Sequence, residues 1–199
     1  METIRGKRSF ELEISELEQR LAGYQYTLLD LGTGDGRFIR RLAEQYQDRF
    51  FIGLDACREN LRANSQRTLP NALFIIASAQ ALPPELNGLA SHVNINFPWG
   101  SLLESLLGSE DSLMNSLSSV TRSMAGLDIH LNAEALKTAG WALEAGAEQV
   151  QRVLDEAGWS IRSRAWMEAH SLRAFPTTWA KRLEFGRDPR AAHLFFQKE

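Results

Sequence analysis

Ten residues constrain this chain more than any others: Leu28-Leu29-Asp30-Leu31-Gly32-Thr33-Gly34-Asp35-Gly36-Arg37, an apolar run that passes through a glycine loop into a helix-period segment. Glycines let the backbone turn tightly and approach a ligand with no Cβ in the way. The helix that follows offers unpaired N–H groups in its first turn. Asp55 lies 19 residues after Gly36, at the end of a second apolar run, where an acid can accept the hydroxyls of a ribose. The pattern points to a nucleoside-bearing ligand on an α/β sheet. A phosphate-binding loop of the Gly-Lys-Ser/Thr kind is excluded, because Gly36 is followed by Arg37-Phe38. The dinucleotide fingerprint G-x-G-x-x-G is not met either; the loop reads G-x-G-x-G, with Asp30 and Asp35 around it. Two carboxylates would repel a pyrophosphate. They suit a ligand of net positive charge, such as S-adenosylmethionine with its sulfonium and ammonium groups.

Short apolar runs alternate with helix-period segments along the rest of the chain, the mark of a sheet with helices on both faces. Strands are expected at Tyr26–Leu31, Phe50–Leu54, Leu73–Ala77, His92–Phe97, Leu127–Leu131, Ser160–Trp166 and Ala191–Gln197, giving seven. Phe38, Ile39, Leu42, Ala43 and Tyr46 keep helical spacing, as do Val150, Val153, Leu154 and Ala157 before the stop at Gly158. Ser101 has Glu104 three places on, a capping-box spacing before the apolar residues 102–107. Residues 1–199 read as one domain, with residues 1–23 an N-terminal extension holding a short hairpin and a helix from Ser15 to Leu21.

One cysteine, Cys57, excludes an internal disulfide framework, and with four scattered histidines it argues against a zinc cluster or any metal. No apolar run is long enough to span a bilayer, and Met1–Phe10 lacks the apolar stretch of a secretory signal, so a cytoplasmic protein without membrane contact is expected. The formal net charge of −3 hides a segregation: residues 37–67 carry seven Arg against four acids, residues 68–161 three basic residues against ten acids, and residues 162–190 seven against three. A net-acidic chain can therefore still present a basic face to a phosphate backbone.

Four motifs resemble one family. Asp-Leu-Gly-Thr-Gly-Asp-Gly-Arg at 30–37, Ile-Gly-Leu-Asp at 52–55, Phe-Pro-Trp-Gly-Ser-Leu-Leu at 97–103 and Trp-Ala-Lys-Arg-Leu-Glu-Phe-Gly-Arg at 179–187 resemble the 16S rRNA (adenine(1408)-N(1))-methyltransferases, which confer resistance to kanamycin and apramycin. Gly6-Lys7-Arg8 is similar to the family's N-terminal motif. The resemblance implies a seven-stranded, mostly parallel Rossmann-like class I methyltransferase fold, S-adenosylmethionine as donor, and 16S rRNA in the 30S ribosomal subunit as substrate. Carried over by position, Asp30, Gly32, Thr33 and Gly34 would hold the methionine end of the donor and Asp55 its ribose. Ala79 and Gln80 would flank the adenine, with Ser101 and Thr177 beside the methionine. Trp99 and Trp179 match the pair that sandwiches the target base. Arg182 and Arg187 match the groups that grip the RNA backbone, with Lys7, Arg8, Lys181 and Arg190 as helpers.

These residue types suit the reaction. The N1 lone pair of adenine lies on the Watson–Crick edge, so the base must be unstacked or flipped, at a cost of a few kcal/mol. Stacking on an aromatic ring returns about 1–3 kcal/mol per base. Neutral N1 is already a nucleophile, so no general base is needed and alignment carries the catalysis. Trp141, Trp159 and Trp166 read as core residues, and the histidines as structural. Two departures keep other readings open. The connection from Arg62 to Asn71 is short where the family has a long lysine-rich segment. Asn96-Phe97-Pro98-Trp99 also resembles the Asn-Pro-Pro-aromatic motif of methyltransferases for exocyclic amines. A methyltransferase for another amine or a small molecule, or a non-catalytic ribosome- or donor-binding protein, are the alternatives. A monomer is expected.

Overall fold

The computed structural model describes residues 1–108, 111–174 and 188–199. Strands β1 (Glu2–Arg5) and β2 (Arg8–Glu11) form a hairpin, followed by helix α1 (Ile14–Leu21). The order continues β3 (Thr27–Leu31), α2 (Arg37–Gln45), β4 (Phe50–Asp55), α3 (Arg58–Leu61), β5 (Ala72–Ile76) and β6 (Ala90–Asn96). Helices α4 (Ser101–Leu107) and α5 (Asp111–Val120) lead into β7 (Thr121–Asn132). Then come α6 (Ala133–Thr138), α7 (Leu143–Glu156), β8 (Trp159–Met167), α8 (Ala169–Ala174) and β9 (Ala191–Lys198).

The strands form one sheet in the order β2-β1-β5-β4-β3-β6-β7-β9-β8. The expected seven are all present, but the sheet has nine strands, because the N-terminal hairpin adds to it rather than standing apart: β1 pairs antiparallel with β5 through Thr3 and Ile75. β1 and β9 run against the other strands. The core β5-β4-β3-β6-β7 is parallel. Chain order runs β3, β4, β5 to one side and resumes at β6 on the other, so β3 is the switch point at whose carboxyl end such sheets bind ligands.

The two faces differ in chemistry. On one, Leu29, Leu31, Ile52, Leu54, Val93, Ile95, Leu127, Ile129 and Leu194 pack against Leu103, Leu106, Leu117, Val150 and Leu154 of α4, α5 and α7. Each such side chain, fully buried, contributes about 1.5–3 kcal/mol of burial energy. On the other face, Leu28, Phe51 and Phe74 meet Phe38, Ile39 and Ala43 of α2. Further across that same face the pleat presents Asp30, Asn94, Asn96, Asp128 and His130 instead, all but Asp128 buried. Helix α2 ends where Asn71 donates to the carbonyls of Ala43, Tyr46 and Arg49 at 3.0, 2.9 and 3.1 Å, satisfying acceptors left by the last turn. Helix α7 stops before Gly158, whose φ of 83° is the left-handed conformation glycine adopts most easily.

Trp159 is sealed in the core and Trp141 packs against it, as expected, but Trp166 is 51% exposed. It lies on β8, an edge strand whose residues 163–166 are open to solvent.

Candidate active site

The glycine loop is built by backbone geometry. Gly32, Gly34 and Gly36 have φ of 70°, 59° and 73°, and a Cβ on Gly36 would stand 2.5 Å from the Phe74 ring. A Cβ on Gly32 would meet Leu102 at 2.8 Å, so an alanine at either position is strained and crowded. The loop is tied to the neighbouring strand: Thr33 N–H donates to Leu54 O at 2.8 Å, and Gly34 N–H to Asp55 Oδ2 at 2.9 Å. The other oxygen of Asp55 accepts from Cys57 N–H at 2.8 Å and from Asn60 Nδ2 at 3.2 Å. A carboxylate held from both sides has a fixed orientation for a diol.

These elements border a cleft of about 260 Å³ at the carboxyl ends of β3, β4, β5 and β6. It brings together seven residues expected from the sequence: Gly32, Gly34, Asp55, Ala79, Gln80, Trp99 and Ser101. Ala56, Asn60, Ser78, Phe97, Pro98 and Leu102 also line it and were not anticipated. Asn60 carried a signal, an amide five residues beyond Asp55 at the start of a helix. Gln80 braces the wall, its Nε2 donating to Ser105 Oγ at 3.1 Å while its Oε1 accepts from Ser78 Oγ at 2.5 Å. A hollow of about 320 Å³ beneath the N-terminal hairpin, bordered by Arg5, Glu16, Arg20 and Arg67, lies away from the strand ends and the glycine loop. Its mixed charges do not match a nucleoside.

Asp30 sits under the cleft floor, wholly buried, and burial pushes its carboxyl up to about 7 against the opposing pull of its hydrogen bonds. Asn96 Nδ2 donates to Asp30 Oδ1 at 2.9 Å. Thr33 also hydrogen-bonds the Asp30 carboxyl, while Asn94 Oδ1 and Asn96 Oδ1 are buried acceptors with no hydrogen-bond partner among the described residues. Asp30 and these acceptors lie next to Gly32 and Gly34 of the cleft wall, and a carboxyl there, when ionised, suits a cationic group such as the ammonium of S-adenosylmethionine. The rim with Asp55 and Asn60 fits its ribose. Asn96 is buried and does not line the cleft, and its amide nitrogen is committed to Asp30.

At the rim, Phe97 is buried with φ of 53°, a conformation that costs a non-glycine residue about 1–2 kcal/mol. Its N–H donates to His130 O at 2.8 Å. The turn carries Pro98 and Trp99 over the cleft and leaves the Trp99 indole 37% exposed. Ser101 lines the cleft too, but not as a helix cap. Gly100 holds the N-cap position with φ of 54°, and no side chain caps α4, so the expected capping box is absent. The positive φ explains it, since glycine alone adopts it without strain.

Lys7 and Arg8 are exposed at the hairpin turn. Gly6 N–H donates to Ser65 Oγ at 2.9 Å, joining that turn to the 62–71 connection, and Arg58 Nη2 donates to Lys7 O at 3.4 Å. The connection is itself pinned, Asn64 Nδ2 donating to Asp35 O at 2.6 Å. Arg190 is exposed and held bidentately by Asp188 at 3.0 and 2.8 Å. Thr177, Trp179, Lys181, Arg182 and Arg187 lie outside the described residues.

Three of the histidines meet on the polar sheet face. His92 Nε2 lies 2.6 Å from Asp128 Oδ2, His193 Nε2 hydrogen-bonds Asp128 Oδ1, and His130 stacks on His193 with ring centroids 4.4 Å apart. Burial alone would raise the Asp128 carboxyl, but the hydrogen bonds from His193 and His92 hold it well below the usual carboxylate range. Burial and the neighbouring His193 push His130 down to about 3, so it is neutral. Among the described residues no cluster of His, Cys, Asp and Glu is arranged to hold a metal ion, and no helix is long and apolar enough to cross a membrane.

Comparison with known proteins agrees with this geometry. The sequence profile of the NpmA family, 16S rRNA (adenine(1408)-N(1))-methyltransferase, matches residues 2–197. The Escherichia coli 16S rRNA (adenine(1408)-N(1))-methyltransferase is 32% identical over 203 aligned residues, covering 92% of each chain. Its counterpart in Streptoalloteichus hindustanus is 30% identical over 94% of each chain. The crystal structure of the 16S rRNA methyltransferase KamB superposes with a TM-score of 0.90 at 29% identity, each chain covered in full. A match of this extent, on a fold whose glycine loop, Asp55 and Trp99 share one cleft, establishes that the chain belongs to the 16S rRNA (adenine(1408)-N(1))-methyltransferase family.

Proposed function

We propose that this protein transfers a methyl group from S-adenosylmethionine to N1 of an adenine in the decoding site of 16S rRNA within the 30S subunit, and so confers aminoglycoside resistance. The observation that carries the reading is the placement of Trp99: an exposed indole, beside the strained turn at Phe97, bordering the same cleft as the glycine loop and Asp55. When bound, S-adenosylmethionine supplies a methyl group activated by its sulfonium. Asp30 meets the positively charged methionine end, with Gly32, Thr33 and Gly34 offering backbone close to it. Asp55, oriented by Gly34, Cys57 and Asn60, accepts the ribose hydroxyls. Ala79 and Gln80 border the adenine ring. Trp99 stacks on the extruded base, with Trp179 as the second indole, and offsets part of the few kcal/mol of unstacking. Lys7, Arg8, Lys181, Arg182, Arg187 and Arg190 face the RNA backbone as sequence-independent anchors. The described side chains need supply no base, because N1 attacks through its own lone pair; the protein's part is alignment and exclusion of water.

The test incubates purified 30S subunits with donor and protein and reads the decoding site by reverse transcription. A methyl on N1 blocks pairing and stops the polymerase at that adenine. A methyl on the exocyclic amine does not, so incorporation without a stop, or no incorporation, would refute the proposal.

A further inference from the structure

The mechanism above leaves the buried side chain of Asn96 unused. Asn96 is the last residue of β6, on the same pleat face as Asp30 and one strand away from it. Its amide nitrogen donates to Asp30 Oδ1 at 2.9 Å, while its own Oδ1 is buried and without a partner. Leaving a buried carbonyl unsatisfied costs about 1–3 kcal/mol, which an aliphatic side chain would avoid. The bond to the Asp30 carboxyl roughly offsets that cost, so the asparagine brings little net stability. What it does supply is a hydrogen bond that favours the ionised form of Asp30 over the protonated one.

We propose that Asn96 is a positioning residue for the donor: it holds the Asp30 carboxyl oriented and ionised beneath the cleft, ready for the cationic amino-acid end of S-adenosylmethionine. The inference rests on the reading that Asp30 serves that end. Few other charges compete for the role. Asp55 on β4 acts on Asp30 in the opposite sense, raising its pKa. His130 on β7, opposite Asn96 in the register, is neutral. Asp128, two residues before His130 on β7, is hydrogen-bonded by His92 and His193. Asp35 and Arg37 on the loop pair with each other at 3.8 Å.

Because burial places the Asp30 pKa at about 7, its ionisation falls within the working pH range, and the Asn96 hydrogen bond shifts it where the shift matters. Losing a hydrogen bond to a carboxylate would raise that pKa by about one to two. If the donor binds the ionised form, apparent affinity falls by the factor 1 + 10^(pKa − pH). Asn96→Leu should then bind S-adenosylmethionine or S-adenosylhomocysteine at least about fivefold more weakly than the unsubstituted protein at pH 7. The gap should close to within about twofold at pH 9. Taking the ratio at each pH cancels the titration of the ligand's own amino group.

The experiment is calorimetric titration of both ligands at pH 6.5 to 9 into the unsubstituted protein, Asn96→Leu, Asn96→Ser and Asp30→Asn. Carbon NMR of aspartate-labelled protein, with Asp30→Asn for assignment, follows the Asp30 carboxyl directly. The expected result is a pH-dependent ratio for Asn96→Leu, a smaller one for Asn96→Ser, which keeps a donor, and a carboxyl that titrates near neutrality in the free protein but not with ligand bound. A ratio that is the same at every pH would be a packing effect and would overturn the proposal. So would a free-protein carboxyl titrating near 4. The carboxyl titration in the unsubstituted protein decides the matter even where Asn96→Leu does not fold. Equal binding by Asp30→Asn and the unsubstituted protein would remove the reading of Asp30 itself. A clear loss in Asp30→Asn with a flat Asn96→Leu ratio would sink only the Asn96 step.

Discussion

Replacing Trp99 with alanine separates donor binding from base binding. The indole is 37% exposed and belongs to neither of the two large apolar clusters, so its removal should lower folding stability by less than about 1 kcal/mol. Its contribution should appear only when a base is extruded. Stacking against an aromatic ring is worth about 1–3 kcal/mol per base, which translates to a fall of about 5- to 160-fold in kcat/KM for methyl transfer to 30S subunits. Trp99→Phe keeps a π-face and should retain most of the rate. Donor affinity, assigned above to Asp30, Asp55 and the loop between them, should change by less than about threefold by the same reasoning. The assay is single-turnover transfer of labelled methyl, with donor affinity measured in parallel by calorimetry. Undiminished transfer by Trp99→Ala would refute the stacking role. A loss of donor binding as large as the loss of transfer would show that the indole serves the cleft and not the base.

Four further outcomes follow from the same geometry. Asp30→Asn should raise the unfolding free energy at pH 7.5 by up to a few kcal/mol, read by denaturant titration, while abolishing donor binding; a buried carboxyl whose folded pKa is about 7 against 3.8 loses stability as pH rises across that window, and the amide does not. His130, pushed down to about 3 from 6.5, contributes stability that is complete above 6.5 and lost as pH falls toward 3, so the unfolding free energy of His130→Phe should fall less across that range, as read by denaturant titration. Gly32→Ala should weaken donor binding by tenfold or more, because the added Cβ meets Leu102 at 2.8 Å in a left-handed backbone; calorimetry at normal affinity would contradict it. Alanine at Lys7 and at Arg8, both exposed, should each lower the slope of log affinity for 30S subunits against log salt by about 0.7–0.9, and an unchanged slope in filter binding would take that residue out of the RNA contact.

The glycine loop, Asp55 and the strand order around them were legible because each rests on a local rule: positive φ at glycine, alternation in strands, and a fixed distance from the loop to the acid. The hairpin was also legible, but its place in the sheet was not. β1 meets β5 across 72 positions of sequence through Thr3 and Ile75, and nothing local encodes that pairing. β7 begins at Thr121, six residues before the expected Leu127, since exposed Met124 at φ of 61° and a register shift beside His92 interrupt the alternation that marks a strand. Ser101 read as a cap because its spacing to Glu104 is right, while the adjoining glycine took the position through backbone freedom. The polar sheet face was the least visible of all. Asn94, Asn96, Asp128 and His193 look unrelated in sequence, and only the pairing of β6, β7 and β9 places them side by side.

The bond from Gly6 to Ser65 has a consequence for how such a protein can change over time. It fastens the outer hairpin to the 62–71 connection at the far margin of the sheet, whereas the groups around the cleft hang from the parallel strands in the middle. Substitutions at that margin can retune contact with a large surface, charge by charge, without disturbing the chamber in the centre. Lineages can therefore drift in how firmly they hold a large RNA while inheriting the same chemistry.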